Sequence, residues 1–480
     1  MLHRALITNN LLGYDIHLEY YIAKLTMTQG CWDPFFPTAV NSCISLTILP
    51  PILAYCTKIE LVWVLKLIYP FIFANVPVVI FKLYKKRLGV KGAALASFLF
   101  IVQFVFFSEM LGLARQQVAE LMAMLSLYYA IDQYERLTNR ILGVLFLFAT
   151  ALSHYGLTLI LLLIVSLAVL LFREARRYKV FLLILLVFTL AWQSYTAGGT
   201  VVDSVVGLLK RSYTSAYYDF FGGGAREDSI YLALGGGAEQ LSLPRKAYWL
   251  LQQTVQGVIV LGFVSRAVYF YRTKARVPVE EALAMTGLTT LLFCIVVPYF
   301  ADGLNVTRIY HISLLFVGYY FAVGSAFLHK IAGAYLRVDK FLIARMILMF
   351  YFFFSSGYAY VVLGDRPSSI ALNYQEYEDA YYYDNEIAAV AWASQRQIKE
   401  ITGFTKYSRL LLGEFYGLEV NEEIRGPTCL FVRERGDRAE IEQKIEQKIE
   451  QRPVIYDSGA KIYGRKTEEA DEETQSFDSG

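Results

Sequence analysis

The chain has 480 residues, 56% of them hydrophobic and only 18% charged, with a net charge of +3 and a mean hydropathy of +0.41. These values exclude an ordinary soluble protein, and apolar runs of about 20 residues recur, each long enough to cross a hydrocarbon core of about 30 Å. Alternating segments of about 10 residues, the mark of a membrane β-barrel, are absent, which leaves a polytopic α-helical membrane protein. Five cysteines (Cys31, Cys43, Cys56, Cys294, Cys429) show no metal-type or paired spacing, so neither a zinc site nor a disulfide framework is indicated.

In chain order, residues 1–38 are polar and aromatic and hold the window Gly13-Tyr-Asp-Ile-His-Leu-Glu-Tyr-Tyr21. Asp15 and Glu19 lie four residues apart, so a helix would put both on one face. Ala39–Cys56 is apolar but broken by Pro50-Pro51, which fits either a short span or a segment lying in the interface. Leu61–Tyr84 is a better span, ending in the basic cluster Lys82, Lys85, Lys86, Arg87 and Lys91. Further spans are expected at 91–107 and 113–131, around a polar loop at Ser108–Gln117. The run Ile141–Phe172 would measure about 48 Å as one helix, too long for one upright span. Both of its flanks are basic, so it is expected to enter and return, breaking at Ser153-His154-Tyr155-Gly156.

Spans are then expected at 179–195, 247–271, 281–300, 309–328 and 341–362, with a Gly-rich loop over 196–246. Basic short loops belong in the cytoplasm. Assigning Arg272–Arg276 and His329–Lys340 there gives alternating sides without contradiction from residue 84 onward. The expected fold is thus an all-α polytopic bundle of about 10–11 spans with a small α/β extracytoplasmic C-terminal domain. Its parts are an outer segment (1–60), the bundle (61–362), the small domain (363–464) and an acidic disordered tail (465–480). Within the small domain, Glu386–Gln397 reads as a helix, Thr428–Arg433 as a strand and Val454–Tyr463 as a hairpin. The charged repeat between Ile441 and Gln451 reads as a solvated helix.

These patterns leave the side of residues 1–38 open. A resemblance bears on it. Besides the window, Lys66-Leu-Ile-Tyr-Pro70, Ala114-Arg-Gln-Gln117, Ser153-His-Tyr155, Leu304-Asn-Val-Thr-Arg308 with His311, and Val454-Ile-Tyr-Asp-Ser-Gly-Ala-Lys-Ile-Tyr463 resemble an archaeal family of polytopic membrane proteins. That family is related to the GT-C superfamily of glycosyltransferases. The resemblance implies that Asp15 and Glu19 are outside, in the loop that carries the acidic catalytic residue. It also implies a transmembrane helix ahead of the window, and this chain is expected to lack it.

What the resemblance implies chemically is transfer of a sugar from a polyprenyl- or dolichyl-phosphate carrier to an extracytoplasmic acceptor. Asp15 is then the expected base and Glu19 a second catalytic carboxylate. A divalent cation (Mg or Mn) on this pair is one form that the site could take. Lys66, Arg115, His154, Arg308 and His311 are the expected substrate- and phosphate-binding groups. Each has a plainer reading: a solvated acid, a snorkelling lysine, an interfacial arginine or a hydrogen-bonded histidine. The expected partners are membrane lipid, the lipid-linked sugar and the acceptor, with no nucleic acid. A lipid-linked glycan flippase and a non-enzymatic polysaccharide assembly protein are the alternatives.

Overall fold

The structure is a computed structural model, and it describes residues 2–13, 15–131, 136–218, 230–231, 235–332, 339–365, 382–398, 401–403, 411–415, 429–432, 452–458 and 460–464. The repeat at 441–451, the tail beyond Lys466 and the glycines at 222–224 lie outside the described residues.

Helix α1 (Asp15–Gln29) contains the acidic window. Ala39–Cys56 does not form one span. It breaks into a 3-10 turn (Ala39–Ser42), a helical turn (Ile44–Thr47) and α2 (Leu49–Thr57), the last started by Pro50-Pro51 in the first turn, where a missing N–H costs nothing. At 1.5 Å per residue, nine residues of α2 reach roughly 14 Å, far short of a bilayer core.

Helix α3 (Leu61–Ile101) is continuous by hydrogen bonding but doubles back at Gly89, whose φ of 70° and ψ of 175° are non-helical. Phe73 and Phe100 therefore meet, ring centres 6.1 Å apart, and both touch His311. The turn falls inside the basic 84–91 segment, where the charge pattern expects one. After it come α4 (Ala114–Ile131), α5 (Leu137–Ser153), α6 (Tyr155–Leu171), α7 (Lys179–Tyr195), α8 (Thr200–Tyr218), α9 (Leu243–Thr273), α10 (Val279–Val296), α11 (Val306–Ala332) and α12 (Leu342–Ser355). The run 141–172 breaks at His154, as its length requires. Among the described residues, five helices are long and apolar enough to cross a membrane, with shorter apolar helices beside them.

Ion pairs tie the basic connections to one another. Arg87 meets Glu280 at 3.2 Å, Arg276 meets Glu174 at 3.2 Å, and Lys91 and Arg345 both meet Asp339. All of these loops therefore lie at one end of the bundle, and the alternation read from charge has a physical counterpart.

Helix α11 is the centre of the bundle. Its residues Ile312 to Ala322 are almost all buried, and it packs on α3, α9 and α10. The contact with α9 is backbone on backbone: a Cβ at Gly262 would lie 2.0 Å from the Tyr320 carbonyl oxygen, and one at Gly324 2.0 Å from that of Val258. Lipid gives helices no hydrophobic drive to associate, so small residues that let backbones close in carry the packing.

The C-terminal part adds α13 (Asp384–Gln395), β1 (Ile401–Gly403), β2 (Cys429–Val432), β3 (Val454–Asp457) and β4 (Lys461–Tyr463). The sheet order is β1-β2-β4-β3, with β1 and β2 parallel and the other neighbours antiparallel. The expected helix, strand and hairpin are all present. Ile16, Ala23, Val40 and Leu46 share one apolar core with Val390, Ile401, Phe431 and Ile462, so the acidic window and the sheet form a single body on the bundle.

Gly324→Ala should separate α9 from α11 and cost about 2 kcal/mol through overpacking. Gly257→Ala, on α9 with open space around it, should be neutral. Thermal unfolding of the two variants in detergent checks this; equal midpoints would remove the close contact from the account.

Candidate functional site

Four separated stretches converge at the end of the bundle opposite the basic loops, and local structure fixes each one. Gly13 has φ +111°, and a Cβ there would sit 2.6 Å from the Gly112 Cα. Only glycine allows that approach, which presses the start of α1 against the 3-10 turn Glu109–Gly112 just ahead of α4. Glu19, fully buried, accepts a hydrogen bond at 2.8 Å from the Ala114 N–H at the first residue of α4, where a carboxylate suits the helix dipole.

Arg115 follows in the first turn of α4. His154 caps α6, its Nδ1 accepting from the Leu157 N–H at 3.1 Å. Asn305 caps α11: its side-chain oxygen accepts from the Thr307 N–H at 3.0 Å and the Thr307 hydroxyl at 2.6 Å. Arg308 is thereby placed in the first turn of α11. The Asn-Val-Thr triplet, which resembles a glycosylation sequon, serves here as a helix cap.

Two guanidinium groups meet on one carboxylate. Asp15 Oδ2 accepts from Arg115 Nη2 at 2.9 Å and from Arg308 Nη1 at 3.0 Å. Arg115 also faces Glu19 at 3.3 Å and lies over the Tyr155 ring, 5.8 Å from its centre. The side chains of Asp15 and Arg308 are 22% and 20% exposed, whereas that of Arg115 is 7%, so the cluster is open on the Asp15–Arg308 side. Donors are left over: the Nε atoms of Arg115 and Arg308 and the Nε2 of His154 are buried without hydrogen-bond partners. With Nδ1 accepting from a backbone N–H, a neutral His154 carries its proton on Nε2. The arrangement suits an anion with several oxygens, which would satisfy donors that are costly to leave buried and unpaired.

Asp15, Glu19, Arg115, His154 and Arg308 are brought together. Lys66 and His311 are not in the cluster. Lys66 lies in a π-helical turn (Val64–Ile68) and donates to the backbone carbonyls of Thr8 and, at 2.9 Å, Asn10. His311, one turn beyond Arg308, is fully buried; its Nδ1 lies 3.3 Å from Glu120 Oε1, which also accepts from Gln116 at 2.8 Å. Gln116 and Tyr155 stand in motifs that carry the resemblance but without an assigned role, and Glu120 stands in none. An acid inside an apolar span was the available signal for Glu120.

A metal ion on Asp15 and Glu19 does not fit. Both carboxylates face guanidinium groups, and among the described residues no group of three or more His, Cys, Asp or Glu stands close enough to hold one.

The fold defines a multi-pass membrane protein with a helical bundle and a small four-stranded sheet. The chain belongs to the family described as Predicted membrane protein (DUF2206), whose profile matches residues 139–429. ArnT from Cupriavidus metallidurans bound to undecaprenyl phosphate superposes with a TM-score of 0.53 at 9% identity, over 96% of this chain and 95% of that one. The apo state of the same protein matches with a TM-score of 0.48 at 10% identity, over 95% and 94%. Identity this low speaks to the fold. No curated protein matches the sequence.

Burial pushes the Glu19 carboxyl up to about 7, against the pull of Arg115. The folded protein therefore holds this proton more tightly than the unfolded chain, and stability from this group is lost as pH rises from about 4.5 toward 7. Glu19→Gln should flatten that part of the profile, a difference of roughly 3 kcal/mol between pH 5 and 8. Unfolding midpoints against pH check it; parallel profiles for the two proteins would contradict it.

Proposed function

We propose that the protein is an integral membrane glycosyltransferase of GT-C type. It transfers a sugar from a polyprenyl- or dolichyl-phosphate donor to an acceptor on the extracytoplasmic face, with Asp15 as base and Arg115 and Arg308 as the phosphate-binding pair. The observation that carries this reading is the convergence of two arginines, 193 residues apart in sequence, on Asp15. The fold shared with ArnT, whose structure holds undecaprenyl phosphate, supports a lipid phosphate as the anion.

In the resting site Asp15 holds the two guanidinium groups side by side. An arriving donor phosphate draws their free N–H groups, with the His154 Nε2–H as a third donor. The acceptor hydroxyl gives its proton to the Asp15 carboxylate as its oxygen bonds to the sugar C1. The bond from C1 to the phosphate oxygen breaks with its electron pair, and the lipid phosphate leaves with one more negative charge. Arg115 and Arg308 stabilise that charge where it develops, the place where fixed donors contribute most to rate. Glu19 acts one step removed, fixing α4 and Arg115.

Asp15→Asn keeps the shape of the side chain and removes the base. Transfer from polyprenyl-phosphate sugars in proteoliposomes should fall by about 100-fold or more, in protein that still unfolds cooperatively. Undiminished transfer would sink the assignment; lipid-linked sugar crossing the bilayer without a new glycoside would favour the flippase reading.

The orientation has its own test, since Cys31 is exposed and close in sequence to α1. In a chain with Cys56 and Cys429 replaced by serine, an impermeant maleimide should label Cys31 in intact cells. Labelling only after lysis would put the window on the cytoplasmic side.

A further inference from the structure

Helix α8 is tied at two points to the ends of apolar helices. It begins five positions after Tyr195, where α7 ends. Further along, Arg211 reaches the α10–α11 connection, where it pairs with Asp302 at 2.7 Å and lies over the Tyr299 ring, 3.9 Å from its centre. Helices α7, α10 and α11 are all long and apolar enough to cross a membrane, so both ties sit where spans end, on the side of the Asp15 cluster. From Thr200 to Arg211 the helix covers about 17 Å at 1.5 Å per residue. A helix held at one level at two points so far apart runs along the surface of the bundle and not away from it.

At about 100° per residue, the helix presents three arcs. Val201, Val205 and Leu208 are buried or half-buried and face the protein, with Leu208 beside Gly303. Val206, Leu209 and Tyr213 are 42%, 64% and 83% exposed; with the half-buried Val202 they fill a second arc whose one polar atom is the tyrosine hydroxyl. Asp203, Lys210 and Thr214 are exposed on the third. Where the spans of a membrane protein end, three surroundings meet at its rim: protein, hydrocarbon and water. The three arcs of α8 match them one to one.

We propose that α8 lies flat in the membrane interface on the Asp15 side, with Val202, Val206, Leu209 and Tyr213 set into the acyl region of that leaflet. A helix with a separate apolar face and a polar one is the form that rests at this depth, and a tyrosine suits the headgroup boundary. The partner is the lipid surface itself. Seating there holds the helix more firmly than the Arg211–Asp302 pair, whose side chains are 59% and 34% exposed and whose individual value is small. The seated helix braces the turn ahead of Asn305, so the level of the bilayer surface bears on where α11 presents Arg308. The seat does not depend on which reaction the Asp15 cluster performs.

The test places one nitroxide at a time on full-length protein in phosphatidylcholine nanodiscs. Cys31, Cys56 and Cys429 are replaced by serine, and Cys43 and Cys294 are buried. The labelled variants are Val206→Cys, Leu209→Cys and Tyr213→Cys on the apolar arc, and Asp203→Cys, Lys210→Cys and Thr214→Cys on the polar one. Each is measured for collision with oxygen, which concentrates in hydrocarbon, and with a water-soluble nickel chelate. The ratio of oxygen to nickel collisions should be about 5-fold or more higher on the apolar arc. Equal ratios on the two arcs would put the apolar arc in water and overturn the proposal. Low collision with both reagents there would mean that protein, from this chain or a second copy, covers the arc, and would overturn it as well. Unfolding midpoints report whether each labelled protein folds, and one folded variant from each arc suffices for the comparison.

Discussion

The structure around the candidate site depends on one carboxylate. Asp15 accepts from two guanidinium groups delivered by the first turns of α4 and α11. Without it two cations would face each other across a partly closed site, and that repulsion is strong where water is scarce. The supporting contacts serve the same meeting point: the glycine approach at Gly13 and Gly112, the Glu19 bond to the start of α4, and the Asn305 cap on α11. Each fixes the beginning of a helix, where a side chain is aimed by the backbone and not by its own flexible stem.

Charge and hydropathy made much of the bundle readable. The break at His154, the bounds of α7 and the turn near Gly89 follow from span length and from where arginine and lysine fall. The side-chain partnerships were not readable. Hydropathy reports how apolar a stretch is, but not which neighbour a polar residue will meet. Asp15 and Glu19 were visible as a pair four residues apart, yet their geometry differs: one sits between two arginines at a partly open site, the other is buried against the end of α4. Arg308 and His311 are similarly close in sequence, but one turn of α11 takes His311 into a cage of Phe73, Phe100 and Phe106.

The two ends of the bundle handle charge differently. At the basic end, arginines and acids pair singly at exposed connections, where water and salt screen them. At the Asp15 end the charges are fewer, mostly buried, and leave donors without acceptors. The first arrangement suits a boundary between protein, lipid and water; the second suits a ligand that brings oxygens with it.

The core that joins Ile16 and Val40 to Phe431 and Ile462 has a consequence for how the protein is made. Part of the packing around Ile16, against Phe431 and Ile462, forms only after more than 400 intervening residues have been synthesised and the bundle between them inserted. Closing such long-range contacts comes late and costs chain entropy. The helix of Asp15 is therefore held on one side by Gly112 and Ala114 and on the other by the C-terminal sheet, so a variant lacking Val454–Tyr463 would carry an intact bundle and an unfinished head.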